Sequence, residues 1–327
     1  MKLLITGGAG YIGSHVALAA LDNGYNVTIF DDLSTGCEEN INIKTQFYKG
    51  STLSKSDLSN LFKTESFDAV IHLAGSKAAG ESMIKPFMYA KNNIIGGLNL
   101  INECCKHKIK IFIFSSSAAV YGMPQYSPID ESHPLSPTNY YGYTKKNIEE
   151  NLRWFSNLKG MNYASLRYFN AAGYDLKNRV IGLEKDPQNL IPIVMETVIG
   201  IRPMVKVYGN DYNTIDGTGV RDYVHVSDLA KAHIDSIEYI NREKKDITLN
   251  LGTGKGNSVL EVINKIMEIS KKNIIYNFEN RRDGDADIVI ASAELAKDII
   301  GWEGGNSDLD TIIKSTWEIY QSSILNN

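Results

Sequence analysis

The sequence predicts an α/β protein. A doubly wound parallel sheet makes a first domain over residues 1–170, and a smaller α/β lobe covers residues 171–327, with some later segments returning to the first domain. Three observations carry this. Short apolar runs alternate with helical patterns through the first half. Those runs are apolar without interruption, as strands covered on both faces are. The rhythm then breaks beyond Asn170, where Pro187, Pro192 and Pro203 fall and residues 209–219 are polar and glycine-bearing.

The elements follow in order. Residues 2–6 (KLLIT) read as a strand, 11–23 as a helix closed by Gly24, and 26–30 as a second strand. Residues 46–49 make a third strand. Residues 68–73 (DAVIHL) and 110–114 (KIFIF) follow, separated by one long helix over 86–107. A helix carrying Tyr141 precedes a further strand at 163–168. With no internal repeat and no low-complexity linker, the two lobes are expected to pack closely.

The bulk properties exclude several classes. A chain of 327 residues with 43% hydrophobic and 22% charged side chains is ordinary for a globular protein with a large core. A net charge of −4 argues against a nucleic-acid surface, which needs a basic excess. Cys37, Cys104 and Cys105 form no ligand spacing and leave one thiol over in any disulfide scheme, so reduced thiols are expected. The opening apolar run is too short for a secretion signal, and no stretch approaches the ~20 apolar residues of a membrane span. A soluble, cytoplasmic protein is the expectation, with no membrane partner. His72, His225 and His233 have no metal spacing, so no metal is expected.

The first strand runs into T-G-G-A-G-Y-I-G and then a helix. Gly7, Gly10 and Gly13 permit a tight turn and let backbone N–H groups, including those of Tyr11 and Ile12, approach a pyrophosphate at the positive end of the helix. Gly8, Gly10 and Gly13 also satisfy the G-x-G-x-x-G form. Asp31 ends the next strand, where an acid receives ribose hydroxyls and repels a 2′-phosphate; Asp32 strengthens that preference. The loop therefore predicts a Rossmann domain binding NAD and not NADP.

Tyr141 and Lys145 stand four residues apart in N-Y-Y-G-Y-T-K-K-N, which on a helix puts both on one face. An ammonium beside a phenol favours the phenolate and lowers a pKa of about 10, and such a tyrosine can take a proton from an alcohol. The spacing alone arises often by chance. The strand at 110–114 ends in S-S-S-A-A-V-Y-G, so Ser115, Ser116 and Ser117 lie at a strand's carboxyl end, where open α/β sheets bind ligands.

At this point the chain resembles the extended short-chain dehydrogenase/reductase superfamily, and within it the UDP-galactose 4-epimerases. H-L-A-G-S-K-A-A-G-E-S, S-S-S-A-A-V-Y-G, Y-G-Y-T-K, L-R-Y-F-N-A-A-G, G-N-D-Y-N-T-I-D-G-T-G-V-R-D-Y-V-H-V and N-L-G-T-G-K-G-N-S-V all follow the glycine loop in order, over nearly the whole chain. The resemblance implies that Tyr141 is the base, that Lys145 tunes it and holds the nicotinamide ribose, and that Ser117 hydrogen-bonds the sugar 4-hydroxyl. The C4 hydride passes to bound NAD and returns to the opposite face of a 4-keto sugar. By the same resemblance Lys77, Asn92 and Tyr168 lie near the cofactor, Arg221 and Arg282 bind the diphosphate, and Asn170 and Asn189 supply substrate amides. It also implies a homodimer through two helices of the nucleotide lobe.

Two departures carry consequences. Ser51 stands where many epimerases place an aspartate for the adenine amino group. Val289 occupies the position that gates the hexose pocket; its intermediate size implies that UDP-N-acetylglucosamine is accepted as well as UDP-glucose. The loop N-L-G-T-G-K-G-N-S-V-L-E looks like a second phosphate loop, but Ser258 and Glu261 form a capping box, and helix initiation accounts for it. A nucleotide-sugar dehydratase is disfavoured because Ala118 and Ala119 replace the acid pair it needs. A uronate enzyme lacks an identifiable carboxylate-binding cation. A silent NAD-binding regulator would have a broken Ser/Tyr/Lys set, and this set is intact.

Overall fold

A computed structural model describes residues 1–325. The strands are β1 Lys2–Thr6, β2 Asn26–Asp31, β3 Gln46–Lys49, β4 Ala69–His72, β5 Ile111–Ser117, β6 Asn162–Tyr168, β7 Asn170–Ala172, β8 Val205–Tyr208, β9 Val220–Arg221, β10 Tyr223–His225, β11 Ile247–Leu251, β12 Asn257–Ser258, β13 Tyr276–Glu279 and β14 Ile288–Val289. The helices are α1 Tyr11–Asp22, α2 Lys55–Thr64, α3 Ala79–Ile84, α4 Pro86–Tyr89, α5 Gly96–Lys106, α6 Tyr140–Lys159, α7 Leu190–Val198, α8 Val226–Glu243, α9 Val259–Ser270, α10 Glu294–Ile300 and α11 Leu309–Leu325.

Seven parallel strands form the central sheet in the order β11-β6-β5-β4-β1-β2-β3. Because successive strand residues face opposite ways, the apolar runs serve two cores. Leu3, Ile5, Ile29, Ile71, Ile113 and Leu166 pack against α1 and α8. Leu4, Phe30, Val70, Phe112 and Phe114 pack against α2, α5 and α6. A third core joins α7, α9 and α11 with β8. The smaller lobe also carries the pairs β7–β10 and β8–β13 and the three-stranded sheet β12-β9-β14.

One feature differs from the sequence expectation. The helix expected over 86–107 is interrupted: α4 leads into a π-helical turn at Ala90–Ile95 before α5 begins. A wider turn of this kind re-aims the side chains within it, and here Asn93 reaches back to the loop after β4. Its Oδ1 accepts from the Ser76 N–H at 2.8 Å, and its Nδ2 donates to the Ser76 carbonyl at 3.0 Å and the Thr144 hydroxyl at 2.9 Å. The sheet also continues beyond Tyr168. β11 pairs with β6 in the register Ile247↔Ala164 to Leu251↔Tyr168, and α8 lies over α1 in the same core. The chain leaves the nucleotide-binding layer after β6, builds β7 to β10, and comes back.

Candidate active site

The glycine turn joins β1 to α1 as the sequence predicts. Gly7 has φ +74°, the left-handed region glycine occupies without strain. A Cβ on Gly13 would sit 2.1 Å from the Gly7 carbonyl oxygen, so the helix can start this close to the turn only with glycine there. Gly10 is the N-cap of α1 and offers no side-chain cap, and no acid stands in the first turn. The N–H groups of Tyr11, Ile12 and Gly13 therefore face outward at a positive helix end. Asp31 is buried at the end of β2; its carboxylate accepts from the Ala9 N–H at 3.0 Å and the Leu33 N–H at 2.9 Å. Burial pushes its pKa up, and those two hydrogen bonds oppose the rise. An uncapped helix end, a cradle that a Cβ would fill and an acid on the second strand together fit a dinucleotide diphosphate and its ribose. The Tyr11 hydroxyl is committed elsewhere, donating to the Gly173 carbonyl of the smaller lobe.

Asn92 and Lys77 lie on the same rim. Asn92 Nδ2 donates to the Ser76 hydroxyl at 3.0 Å. Lys77 pairs at 2.7 Å with Glu184, a residue of the segment between β7 and α7. The same segment meets the loop after β2, where Asn40 Oδ1 accepts from the Gly182 N–H at 2.8 Å.

Asn139 caps α6, accepting from the Gly142 N–H at 2.8 Å, and the helix sets Tyr141 and Lys145 one turn apart beside the end of β5. Lys145 is buried, donates to the Ser115 carbonyl at 2.6 Å, and lies 5.0 Å from the Phe114 ring centre and 5.8 Å from that of Tyr141. Burial lowers its pKa to about 8, with the Glu149 carboxylate pulling the other way. The Tyr141 phenol departs from the sequence expectation of a lowered pKa. Burial raises it, and a hydrogen bond from Ser117 offsets part of the rise. Desolvation penalises the phenolate more than the surrounding dipoles stabilise it.

Each serine of the run has its own task. The Ser115 side chain bonds Tyr168, Ser116 donates to Glu149 Oε1 at 2.5 Å, and Ser117 turns to Tyr141 while accepting from the Ala119 N–H at 3.2 Å. Tyr168, at the end of β6, also meets His233 Nε2 at 2.5 Å, and His233 Nδ1 lies 2.8 Å from the Leu229 carbonyl. His72 is 2.7 Å from the Thr6 hydroxyl. His225 accepts from the Ser227 N–H at 3.1 Å at the start of α8. Hydrogen bonding within the fold accounts for all three histidines.

The smaller lobe carries two arginines that share one acid. Asp285 lies between them, 3.5 Å from Arg221 and 2.8 Å from Arg282. Arg282 also stands 5.0 Å over the ring of Tyr208, a half-exposed aromatic at the end of β8. Asn170 Nδ2 donates to the Asp222 carbonyl at 3.0 Å, and Asn189 is the N-cap of α7 with no side-chain capping bond. The register of β14 on β9 sets Val289 beside Arg221, packed with Val120, Tyr121, Ile129 and Phe169. Ser51 accepts from the Leu53 N–H at 3.4 Å.

The pairing of Arg221 with Asp222, which adjacency in sequence invites, does not form. Asp222 is fully buried and accepts from the Thr253 N–H and hydroxyl, both at 2.8 Å, from Gly254 N–H at 3.1 Å and from Ala291 N–H at 3.2 Å. It fills the nest that resembles a second phosphate loop, and Ser258 and Glu261 form the capping box that starts α9. Sequence reasoning missed Glu149, Arg167, Tyr208 and Glu184. For Arg167 a signal existed: a charge inside an apolar strand requires a buried partner.

The family model described as "NAD dependent epimerase/dehydratase family" matches residues 3–252. The chain is 42% identical to the UDP-glucose 4-epimerase of Halalkalibacterium halodurans over 97% of its own length and 95% of that protein's. Among solved structures, the UDP-glucose 4-epimerase from Brucella ovis in complex with NAD superposes with a TM-score of 0.95 at 36% identity, covering 98% of each chain. That from Bifidobacterium longum, in complex with NAD+ and UDP, gives 0.93 at 37% identity, covering 100% of this chain and 99% of the other. The chain belongs to the NAD-dependent epimerase/dehydratase family.

Proposed function

We propose that this enzyme is an isomerase that interconverts UDP-galactose and UDP-glucose at C4 with NAD as a resident cofactor. The observation that carries the reading is the meeting of Ser117, Tyr141 and Lys145 at the end of β5, in a chain that also carries an uncapped dinucleotide loop and two arginines sharing Asp285. NAD, held by the turn of Gly7, Gly10 and Gly13 and by Asp31, would supply reversible hydride acceptance from C4. Tyr141, once ionised beside the Lys145 ammonium, receives the 4-hydroxyl proton, and Ser117 orients that hydroxyl. Lys145 works as an ammonium, held by the Ser115 carbonyl within reach of the nicotinamide ribose. Lys77, Asn92 and Tyr168 line the cofactor side. Arg221 and Arg282 hold the diphosphate, as bidentate guanidinium groups do, with Tyr208 offering a flat face to the base and Asn170 and Asn189 offering amides. Tight binding at the nucleotide end leaves the hexose free to turn.

Purified protein given UDP-galactose without added NAD should form UDP-glucose. Tyr141→Phe should lower kcat by roughly 10²- to 10⁴-fold with NAD content unchanged; a variant with undiminished turnover would remove Tyr141 as the base. Val289 is smaller than an aromatic gate at that position would be, so UDP-N-acetylgalactosamine should also turn over, and Val289→Tyr should suppress that activity selectively.

The enzyme is a homodimer in this reading. Met83, Ile84, Phe87, Trp154 and Leu158 are exposed on α3, α4 and α6, and large apolar side chains left open on these helices support an association surface. Light scattering should report a dimer, and Trp154→Glu should yield monomers; a monomeric parent protein would overturn the assignment. No helix among the described residues is long and apolar enough to cross a membrane.

A further inference from the structure

Behind the catalytic set lies a fully buried polar network with no place in the mechanism so far. Glu149 follows Lys145 by one turn of α6 and is 8% exposed; Arg167, on β6, is 5% exposed. The guanidinium donates to Glu149 through Nε at 2.9 Å and Nη2 at 2.7 Å. Its Nη1 donates to the Tyr121 hydroxyl at 2.9 Å, which donates to Asn250 on β11 at 2.6 Å. The remaining strand is reached through Ser116, whose hydroxyl donates to Glu149 Oε1. One carboxylate therefore ties α6, β5 and β6 together at the level of the reacting groups. The residues bound on either side of Ser116 are the Ser115 carbonyl that holds Lys145 and the Ser117 hydroxyl that bonds Tyr141.

We propose that Glu149 is a positioning residue of the reaction. Clamped to Ser116 and Arg167, it fixes the end of β5 against α6, and its negative charge keeps Lys145 an ammonium. The inference rests on the epimerase reading, and it explains an otherwise costly arrangement. A bidentate pair this deeply buried is seldom a net source of stability, since desolvation offsets its attraction.

The charge argument depends on every group that faces Lys145. From α6 these are Tyr141 and Glu149. From β4 it is His72, held neutral with a pKa lowered to about 3 by burial and by Lys145 itself. From β5 come the Ser115 carbonyl dipole and the face of the Phe114 ring, 5.0 Å away. From β6 come Tyr168, a neutral phenol whose pKa burial raises, and Arg167, whose cation is spent on Glu149. His233 stands behind Tyr168 and is neutral above pH 6.5, its pKa lowered to about 4 by burial. Glu149 is thus the one anion in the set. Its removal takes away the carboxylate that raises the lysine's pKa and leaves the Arg167 cation, held on that same carboxylate, uncompensated; both changes lower the lysine's pKa.

Glu149→Gln keeps the shape and removes the charge. For the enzyme with bound NAD, kcat at pH 7 should fall by about 10- to 100-fold, the alkaline limb of the kcat–pH profile should move down by about one unit, and KM for UDP-galactose should stay within about threefold. The double variant E149Q/R167M removes both charges and should return the limb toward its original position, a non-additivity that a cycle of the four proteins measures. A limb that does not move, even with a lower kcat, would mean that the pair only supports the fold and would overturn the proposal. So would a kcat within twofold of the parent. If E149Q does not fold, Ser116→Ala breaks only the link to β5 and keeps the charge. It should lower kcat several-fold with KM and pH profile unmoved, and unchanged turnover would sink the positioning role. Epimerisation by the parent protein tests the underlying reading separately.

Discussion

Asp222 and Glu149 are both buried acids, and their partners decide what each does. Asp222 is satisfied almost entirely by backbone N–H groups. Asp222→Ala would leave those donors unpaired in the interior and should cost about 3 kcal/mol of stability, read from urea unfolding. Because Arg221 precedes it, KM for the UDP-sugar should rise in the same variant; a KM equal to the parent's would separate the nest from the arginine. At this scale the sequence disclosed the proposed site residues far better than the residues that hold them in place. Asp31, Ser117, Tyr141 and Lys145 stand in motifs whose spacing is itself the chemistry. Glu149 and Arg167 meet only because β6 lies beside β5, and Asp285 serves both arginines only after β14 has paired with β9. Spacing along the chain carries no trace of such meetings. The pKa of Tyr141 was misread for a related reason: spacing to Lys145 was visible, while the desolvation that raises the phenol comes from the folded surroundings.

The elements were legible where pattern and length agreed. Uninterrupted apolar runs located the strands of the nucleotide layer, because two-sided burial leaves no room for polar alternation. The π turn at Ala90–Ile95 was not legible, since its residues suit an ordinary helix and only the docking of Asn93 on Ser76 and Thr144 makes the wider turn worthwhile. The turn between β1 and α1 gives the sharpest test at this scale. Gly13→Ala would drive a methyl group into the Gly7 carbonyl, so the first turn of α1 must shift and its N–H groups with it. Purified Gly13→Ala protein should contain little or no NAD, by absorbance of the extracted cofactor, while its far-ultraviolet dichroism stays near the parent's. Full NAD content would show that the helix start has slack the geometry denies.

The whole molecule has an acid limit set by its buried histidines. Burial lowers the pKa of His15 to about 4, of His72 to about 3 and of His233 to about 4, and lowers that of His225 as well. Unfolded histidines take up protons near pH 6.5, so between about pH 6.5 and 4 the unfolded chain binds more protons than the folded one. Stability from this source is complete above about 6.5 and is lost as the pH falls toward 4. The urea midpoint should drop steadily from pH 7 to pH 5; a flat profile would contradict neutral burial. The same scale holds the topology. β6 receives its outer neighbour from β11, encoded after β7 to β10. Synthesis runs from the N-terminus, and domains ordinarily complete in that order. In this chain the layer that begins first finishes late: until Leu251 leaves the ribosome, β6 presents an open row of backbone donors and acceptors to whatever strand is near. The interval between those two strands is therefore the nascent chain's time of greatest exposure to mispairing, and it is where a chaperone would have most to protect.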